Sequence, residues 1–321
     1  MKKILLLLSL LACVCNSWAQ EADSRIFTHP GRETFVYFPS QELGPTNTVT
    51  FFLPEKSVPL TQSYPVIVVL GLVPKQAPEI AQFQQEHRAI VVGINFEEKD
   101  YATRATQIER FLMRELLPYV DTNYLTKTGP ENRILAVQGK SAARIALHVT
   151  QNPNLFGGVA LFSPGDVWND VDVPNVRTLV VGTQPELALA QETLEQYGKT
   201  YGPDFALRYN RANELWFRGI DASYLWADKA QTQVKYARAD VSLNKVSLAQ
   251  PQDVFLRIWV VLANNSLFHY VPSQLRMSPP YLTWDPLRGA LQAVSGAVPG
   301  TVRVRNVVDK PAFAVKVRLK K

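Results

Sequence analysis

Residues 133–163 read RILAVQGKSAARIALHVTQNPNLFGGVALFS, and this stretch decides the fold. Within it, residues 134–137 form an apolar run of the kind found in strands that are buried on both faces, and residues 158–162 repeat that run. Between the two runs, residues 142–150 carry apolar side chains at helical spacing. The stretch therefore predicts a strand, a helix and a second strand.

The same alternation continues on both sides of this unit. Residues 65–71, 89–94 and 177–182 read as further buried strands, and residues 103–124 contain an amphipathic helix. Strands that alternate with helices predict an α/β fold with a mostly parallel sheet and helices on both faces. Apolar residues make up 46% of the 321, which is enough for a large core and excludes a disordered chain.

The alternation weakens after Gly182, and a β-rich extension is predicted at the carboxyl end. Residues 301–307 and 312–319 flank a turn and alternate polar with apolar side chains, which predicts a β-hairpin. Alternation puts the basic residues of this hairpin on one face, and they are Arg303, Arg305, Lys316, Arg318, Lys320 and Lys321. Two interpretations stay open: a solvated outer face, or a face for an anionic envelope or polysaccharide surface.

The amino end reads as a bacterial-type secretory signal. Two lysines precede the apolar run Ile4–Ala12, and Ser17-Trp18-Ala19 offers a small-residue cleavage site. We therefore expect an exported protein, periplasmic or secreted, that begins near Gln20. Leu10-Leu11-Ala12-Cys13 also resembles a lipoprotein box, so anchoring through Cys13 is the alternative. Both cysteines of the chain lie in this leader, which leaves the mature protein without a disulfide or a thiolate metal site.

The remaining sequence features suggest domain boundaries and limit the possible partners. We predict a signal peptide at 1–19, an α/β core at 20–202, and at 203–321 a cap-like segment followed by the β-rich extension. A net charge of +6 without interleaved aromatics argues against nucleic acid as a partner. No later apolar run is long enough to span a bilayer, and no ligand spacing implies a metal or a cofactor. The oligomeric state is left open.

The chemistry centres on Gly139-Lys140-Ser141-Ala142-Ala143, which stands between a buried strand and a helix. This is a near match to Gly-x-Ser-x-Gly, the pattern that exposes a nucleophilic serine on a sharp strand-to-helix turn. Alanine replaces the last glycine but is small enough to keep the geometry. A phosphate-binding loop is excluded, because it needs a glycine where Ile134 stands.

The order of segments from about residue 40 to 168 resembles a known family. It is the putative-esterase branch of the α/β-hydrolase superfamily, with its esterase D-like and enterochelin esterase-like proteins. The segments that carry the resemblance are Leu43-Gly44, Phe52-Leu53-Pro54, residues 64–71, residues 91–95, residues 111–124, the Ser141 motif, residues 152–158, Ser163-Pro164 and Trp168. The resemblance implies an α/β-hydrolase fold.

The resemblance also implies site residues. Ser141 takes the nucleophile position, and the backbone amides of Leu72 and Ala142 take the oxyanion-hole positions. Two fixed N–H donors stabilise the negative charge that an attacked ester carbonyl develops. The family usually has His or Asp before the glycine of the first oxyanion loop, whereas this chain has Leu70.

A base and an acid are expected downstream of the serine, since the chain order in this fold is serine, acid, histidine. His269 is the only histidine after the serine helix, which makes it the candidate base. Glu186 follows the strand ending at Gly182, where the family carries its acid. Asp221 and Asp228 are weaker candidates for the acid. Structural roles for His269 and Glu186, at a strand end and in a first helical turn, stay open as well.

The sequence predicts an exported serine hydrolase that cleaves carboxylic esters through an acyl-enzyme on Ser141. Its substrate would be a small-molecule or polysaccharide-linked ester. The alternative is a non-catalytic α/β-hydrolase scaffold that acts as an envelope binding or assembly protein. An acyltransferase on the same residues is a third interpretation.

Overall fold

The computed structural model describes residues 33–54, 63–71, 77–96, 98–169, 173–210, 219–250, 252–307 and 311–321. They form two compact units. The first contains the described residues up to Asn95 and residues 104–128, and the second contains residues 96–103 and 129–321. The predicted boundary near residue 203 lies inside the second unit, and the predicted signal peptide lies outside the described residues.

Strands and helices alternate in the first half of the chain, and strands dominate the second half. The strands are β1 (Glu33–Ser40), β2 (Gly44–Phe52), β3 (Val66–Leu70), β4 (Ile90–Ile94), β5 (Arg133–Gln138), β6 (Gly158–Phe162), β7 (Arg177–Gly182), β8 (Phe205–Tyr209), β9 (Val234–Val241), β10 (Lys245–Ser247), β11 (Val254–Leu262), β12 (Leu267–His269), β13 (Leu275–Ser278), β14 (Leu282–Asp285), β15 (Ala290–Ala293), β16 (Gly300–Asn306) and β17 (Ala314–Lys320). The helices are α1 (Ala77–His87), α2 (Glu98–Thr103), α3 (Ala105–Phe111), α4 (Leu117–Asn123), α5 (Lys140–Val149), α6 (Gln184–Gln196) and α7 (Ala222–Leu225).

In the first unit the strand order is β1-β2-β4-β3, with β3 parallel to β4 and the other pairs antiparallel. Every residue of β3 and β4 is buried, as the β-branched runs predict. The amphipathic helix predicted at residues 103–124 forms as α3, a π-helical turn at Leu112–Leu116 and α4. Pro118 lies in the first turn of α4, directly after the π-helical turn.

In the second unit β5, β6, β7 and β8 are parallel neighbours in that order, which confirms the predicted sheet. Strand β8 extends the sheet beyond the region in which the sequence shows a clear period. The sheet continues through β12, β11, β15 and β14, all antiparallel, and β9 pairs with residues 256–262 of β11. The fold is therefore α/β-hydrolase-like, with a parallel core and a β-rich extension.

A second sheet follows in the order β10-β17-β16-β13. Strands β16 and β17 are the predicted carboxyl-terminal hairpin. One face of this sheet is buried, through Val246, Val302, Val304, Val317 and Leu319. Among the described residues, no helix combines the length and the apolar character needed to cross a membrane.

Candidate functional site

The bend between β5 and α5 is the geometric centre of the candidate site. Gly139 forms this bend with φ +89° and ψ 163°, a conformation that side chains with a Cβ rarely adopt. Its N–H donates to the carbonyl of Phe162 on the neighbouring strand, and its carbonyl accepts the N–H of Ala143. The bend is thus fixed by the sheet on one side and by the first turn of the helix on the other.

Ser141 lies on the first turn of α5 and not at the bend. The sequence predicts the serine itself at the sharp turn. This prediction is wrong by two residues, because the turn is at Gly139. The physical reason is that the conformation of the bend is one that glycine tolerates and serine does not. The sequence signal for the bend is a glycine directly after a buried strand.

The Ser141 side chain is half-buried at the carboxyl edge of the parallel strands. This edge is where open α/β sheets bind ligands. The Ser141 hydroxyl makes no hydrogen bond with any residue that the structure describes. The first N–H groups of a helix have no partner within it, so the Ser141 and Ala142 amides are available as donors at this end of α5. Leu72, the other predicted oxyanion donor, lies outside the described residues.

The loop after β6 covers the start of α5. Lys140 forms an ion pair with Asp166 across 2.5 Å between Nζ and Oδ1. The hydrogen bond from Lys140 lowers the pKa of the Asp166 carboxyl. Ser163, directly after β6, has φ +46° and is exposed. A strained residue and an exposed ion pair therefore flank the Ser141 helix, and the sequence pointed to Ser163 only as part of the family resemblance and not to the ion pair.

Glu186 is positioned as predicted, after β7 in the first turn of α6, but its carboxylate is fully engaged. Its Oε2 accepts the N–H of Thr183 at 2.7 Å and the Thr183 hydroxyl at 2.8 Å. Its Oε1 accepts the N–H of Gly165 at 3.0 Å. The carboxylate therefore caps α6 and fixes the loop that carries Asp166, which is a positioning role.

His269 ends β12, and its ring contacts a backbone amide and an aromatic side chain. Its Nδ1 accepts the N–H of Tyr209 at 3.0 Å, so Nε2 carries the proton of the neutral ring. The Trp259 ring packs against the imidazole with centroids 3.9 Å apart and the ring planes tilted by 43°. Burial, and then the charges of Arg208 and Arg257, lower the pKa of His269 to about 4. The imidazole is therefore neutral at pH 7 and lines an open cavity of about 530 Å³.

The structure does not bring Ser141, Glu186 and His269 together as a triad. Strand β12 is four positions from β5 in the sheet, and neighbouring strands lie about 4.8 Å apart, which separates the two strands by about 19 Å. His269 Nδ1 is occupied by a backbone amide, and both oxygens of Glu186 are occupied as well. A hydrogen bond between base and nucleophile needs about 3 Å.

The two weaker candidates for the catalytic acid form no hydrogen bond with Ser141 or His269 either. Asp221 caps α7 by accepting the N–H of Tyr224 at 2.9 Å, and it pairs with Arg208 at 2.6 Å. Asp228 is exposed in the turn after α7. Across the described parts of the chain, no group of three or more His, Cys, Asp or Glu residues could hold a metal ion.

Several known proteins are similar to this chain. The uncharacterized protein YjcH of Bacillus subtilis (strain 168) is 24% identical over 142 residues, which cover 40% of this chain and 59% of that protein. The chain thus spans about 59% of the length of the curated relative it matches.

Solved structures with a similar fold include enterochelin esterase from Shigella flexneri, at 16% identity and TM-score 0.47, covering 60% of this chain and 56% of that one. S-formylglutathione hydrolase (FrmB) from Staphylococcus aureus follows at 14% identity and TM-score 0.46, covering 61% of this chain and 98% of that one. A ferulic acid esterase from Anaeromyces mucronatus has 17% identity and TM-score 0.42, covering 56% and 82%.

A family profile described as "Putative esterase" matches residues 40–270. The match runs from β1 through the bend at Gly139 to the residue after β12, so it contains all the predicted site residues. It covers more than two thirds of the 321 residues. The chain therefore belongs to the putative esterase family.

Proposed function

We propose that this protein hydrolyses carboxylic esters, with Ser141 as the attacking group. Membership of the esterase family carries the proposal, because the family match includes the half-buried serine at the carboxyl edge of the sheet. Two features support Ser141 as the nucleophile. Its hydroxyl has no partner among the described residues, and it lies at the positive end of α5.

The reaction proceeds in two steps. The Ser141 oxygen attacks the ester carbonyl, loses its proton to solvent, and forms the acyl-enzyme while the alcohol leaves with a proton from water. Water then attacks the acyl group, which releases the acid and restores the hydroxyl. The free amides at the start of α5 stabilise the oxyanion of each tetrahedral intermediate.

The arrangement implies a slow enzyme whose rate follows hydroxide. No imidazole of a described residue hydrogen-bonds to Ser141, so in this proposal the proton of the serine passes to solvent. Serine hydrolases that lose a triad member keep roughly 10³- to 10⁴-fold catalysis over water through binding and the oxyanion hole. We therefore expect a rate that rises steadily with pH, without the inflection near pH 6.5 that a histidine base would give.

Turnover of p-nitrophenyl acetate and labelling by a fluorophosphonate test the proposal. We expect Ser141→Ala to abolish both, Ser223→Ala to change neither, and His269→Asn to leave the rate within about twofold. Ser223 is a matched control because it is an exposed serine on another helix. Label on any other residue, or equal turnover by Ser141→Ala, would refute the role of Ser141.

A second candidate function is a non-catalytic scaffold that serves as an envelope binding or assembly protein. One specific observation favours it: Gly139, which has no side chain, occupies the bend where an esterase of this fold presents its nucleophile. This candidate predicts no turnover above the buffer rate and no label on the folded wild-type protein.

The proposal includes export to the periplasm or the cell exterior, supported by the signal-like residues 1–19. The substrate class remains a small-molecule or polysaccharide-linked ester. Mass spectrometry of the mature protein tests export directly. A chain that begins near Gln20 supports it, a lipidated Cys13 supports the anchored alternative, and an intact Met1 argues against both.

A further inference from the structure

The charged side chains on the outward face of the second sheet are all positive. Alternation along each strand turns the apolar side chains inward and the basic ones outward, and all of the basic ones are exposed. We call this the basic face, and its cations are Lys245, Arg276, Arg303, Arg305, Lys316, Arg318 and Lys320.

The strand register places these cations directly opposite one another. Arg276 pairs with Arg305 across β13 and β16, and Arg303 pairs with Lys316 across β16 and β17. Lys245 pairs with Arg318 across β10 and β17. Like charges at directly opposed positions destabilise a sheet. The fold therefore keeps three repulsive pairs that a mixture of signs would remove.

No negative charge compensates for this repulsion within the sheet. The other outward positions of the four strands are neutral, namely Ser247, Ser278, Thr301 and Ala314. None of the seven cations forms an ion pair or a side-chain hydrogen bond with a described residue. A solvated outer face of ordinary composition mixes both signs, so this face is matched to an anionic partner.

We propose that the basic face docks the protein on a bilayer surface rich in anionic phospholipid. The seven cations are spread over all four strands, and three gaps of about 4.8 Å make the array about 14 Å wide. A flat layer of phosphate headgroups can meet all of them at once. Basic clusters bind such surfaces through the negative surface potential, with an effect that adds up over the cations.

The composition of the face separates this partner from other polyanions. A single linear polymer running along one strand would meet at most three of the cations, those of β17. Single-stranded nucleic acids are bound with aromatic platforms, and the basic face has no aromatic side chain. It has no large apolar side chain either, so docking is electrostatic and does not require insertion into the acyl chains.

Co-sedimentation of the full mature chain with vesicles tests the proposal. We expect binding to phosphatidylcholine vesicles that contain phosphatidylglycerol, no binding to pure phosphatidylcholine, and release by salt as the charges are screened. The triple variant Arg303→Gln, Lys316→Gln, Arg318→Gln removes the centre of the array. Its affinity should fall by roughly 100-fold, at about fivefold per cation.

A charge-matched control separates the basic face from net charge. The triple variant Arg110→Gln, Lys127→Gln, Arg238→Gln removes three exposed cations on other elements and should bind within a few-fold of wild type. Equal loss by both variants, equal binding to neutral vesicles, or tighter binding to soluble polygalacturonate than to anionic vesicles would overturn the proposal. Circular dichroism confirms that each variant is folded, and ester turnover, which depends on Ser141, should be unchanged in both.

Discussion

Replacing Gly139 by alanine tests where the bend of the candidate site lies. A Cβ at Gly139 would have no heavy atom within 4 Å, so the substitution creates no steric clash with other residues. Its whole cost comes from the backbone conformation, φ +89° and ψ 163°. Such a conformation costs a residue other than glycine about 1–3 kcal/mol. Alanine also restricts the unfolded chain, which returns about 0.4–1 kcal/mol.

The net expectation is a loss of about 1–2 kcal/mol in the free energy of unfolding, measured by urea denaturation. Gly300→Ala is the matched control, because Gly300 does not have a positive φ and its Cβ would lie 4.0 Å from the nearest atom. That control should be neutral or slightly stabilising.

Ser141→Gly gives the converse test. On the helix this change should lower stability by about 0.5 kcal/mol, since glycine is a poorer helix former than serine. At a strained bend the same change would raise stability, because glycine would relieve the strain. A stabilised Ser141→Gly together with a neutral Gly139→Ala would refute the placement of the bend at Gly139.

Three further predictions follow from buried contacts. Glu186→Gln should lower the free energy of unfolding by about 1–2 kcal/mol in urea titrations, because three donors lose a carboxylate acceptor, while Glu192→Gln on the exposed side of the same helix should change it little. Arg177→Met should cost about 3 kcal/mol in the same assay, because the guanidinium donates to carbonyls that the variant leaves unpaired, and an unchanged stability would contradict this. The free energy of unfolding should fall by up to about 3 kcal/mol between pH 6.5 and pH 4 through His269. The folded pKa of His269 is about 4 and lies below its unfolded value, so the unfolded chain binds the proton first. His269→Asn should remove this pH dependence, and an unaltered pH profile in that variant would contradict the prediction.

The parallel core could be predicted from the sequence because its signals are local. The run Val66–Leu70 is apolar without a break and mostly β-branched, which is the pattern of a strand covered on both faces. The carboxyl-terminal hairpin could also be predicted, because polar and apolar side chains alternate strictly along its strands. Strand β8 could not be predicted from the sequence, because its five residues show no period. It is a strand because it pairs with β7.

The bend at Gly139 shows why a motif does not fix its own register. Gly139-Lys140-Ser141 fits a pattern in which the serine takes the turn and the glycine precedes it. It fits equally a glycine turn followed by a helix, since Lys140 and Ser141 are both acceptable in a first helical turn. The choice depends on how β5 pairs with β6, where the N–H of Gly139 binds the carbonyl of Phe162, and this contact is not local in sequence.

The position of His269 follows from how the sheet continues after β8. A histidine that ends a strand and enters a free loop could fold back across the carboxyl edge towards the serine helix. Here the histidine stays within β12, which pairs with β8 on one side and with β11 on the other. Moving the imidazole to Ser141 would break both pairings and the hydrogen bond from Tyr209. Because the β-rich extension holds His269 in this way, the proposed hydrolysis at Ser141 should follow hydroxide and be insensitive to His269.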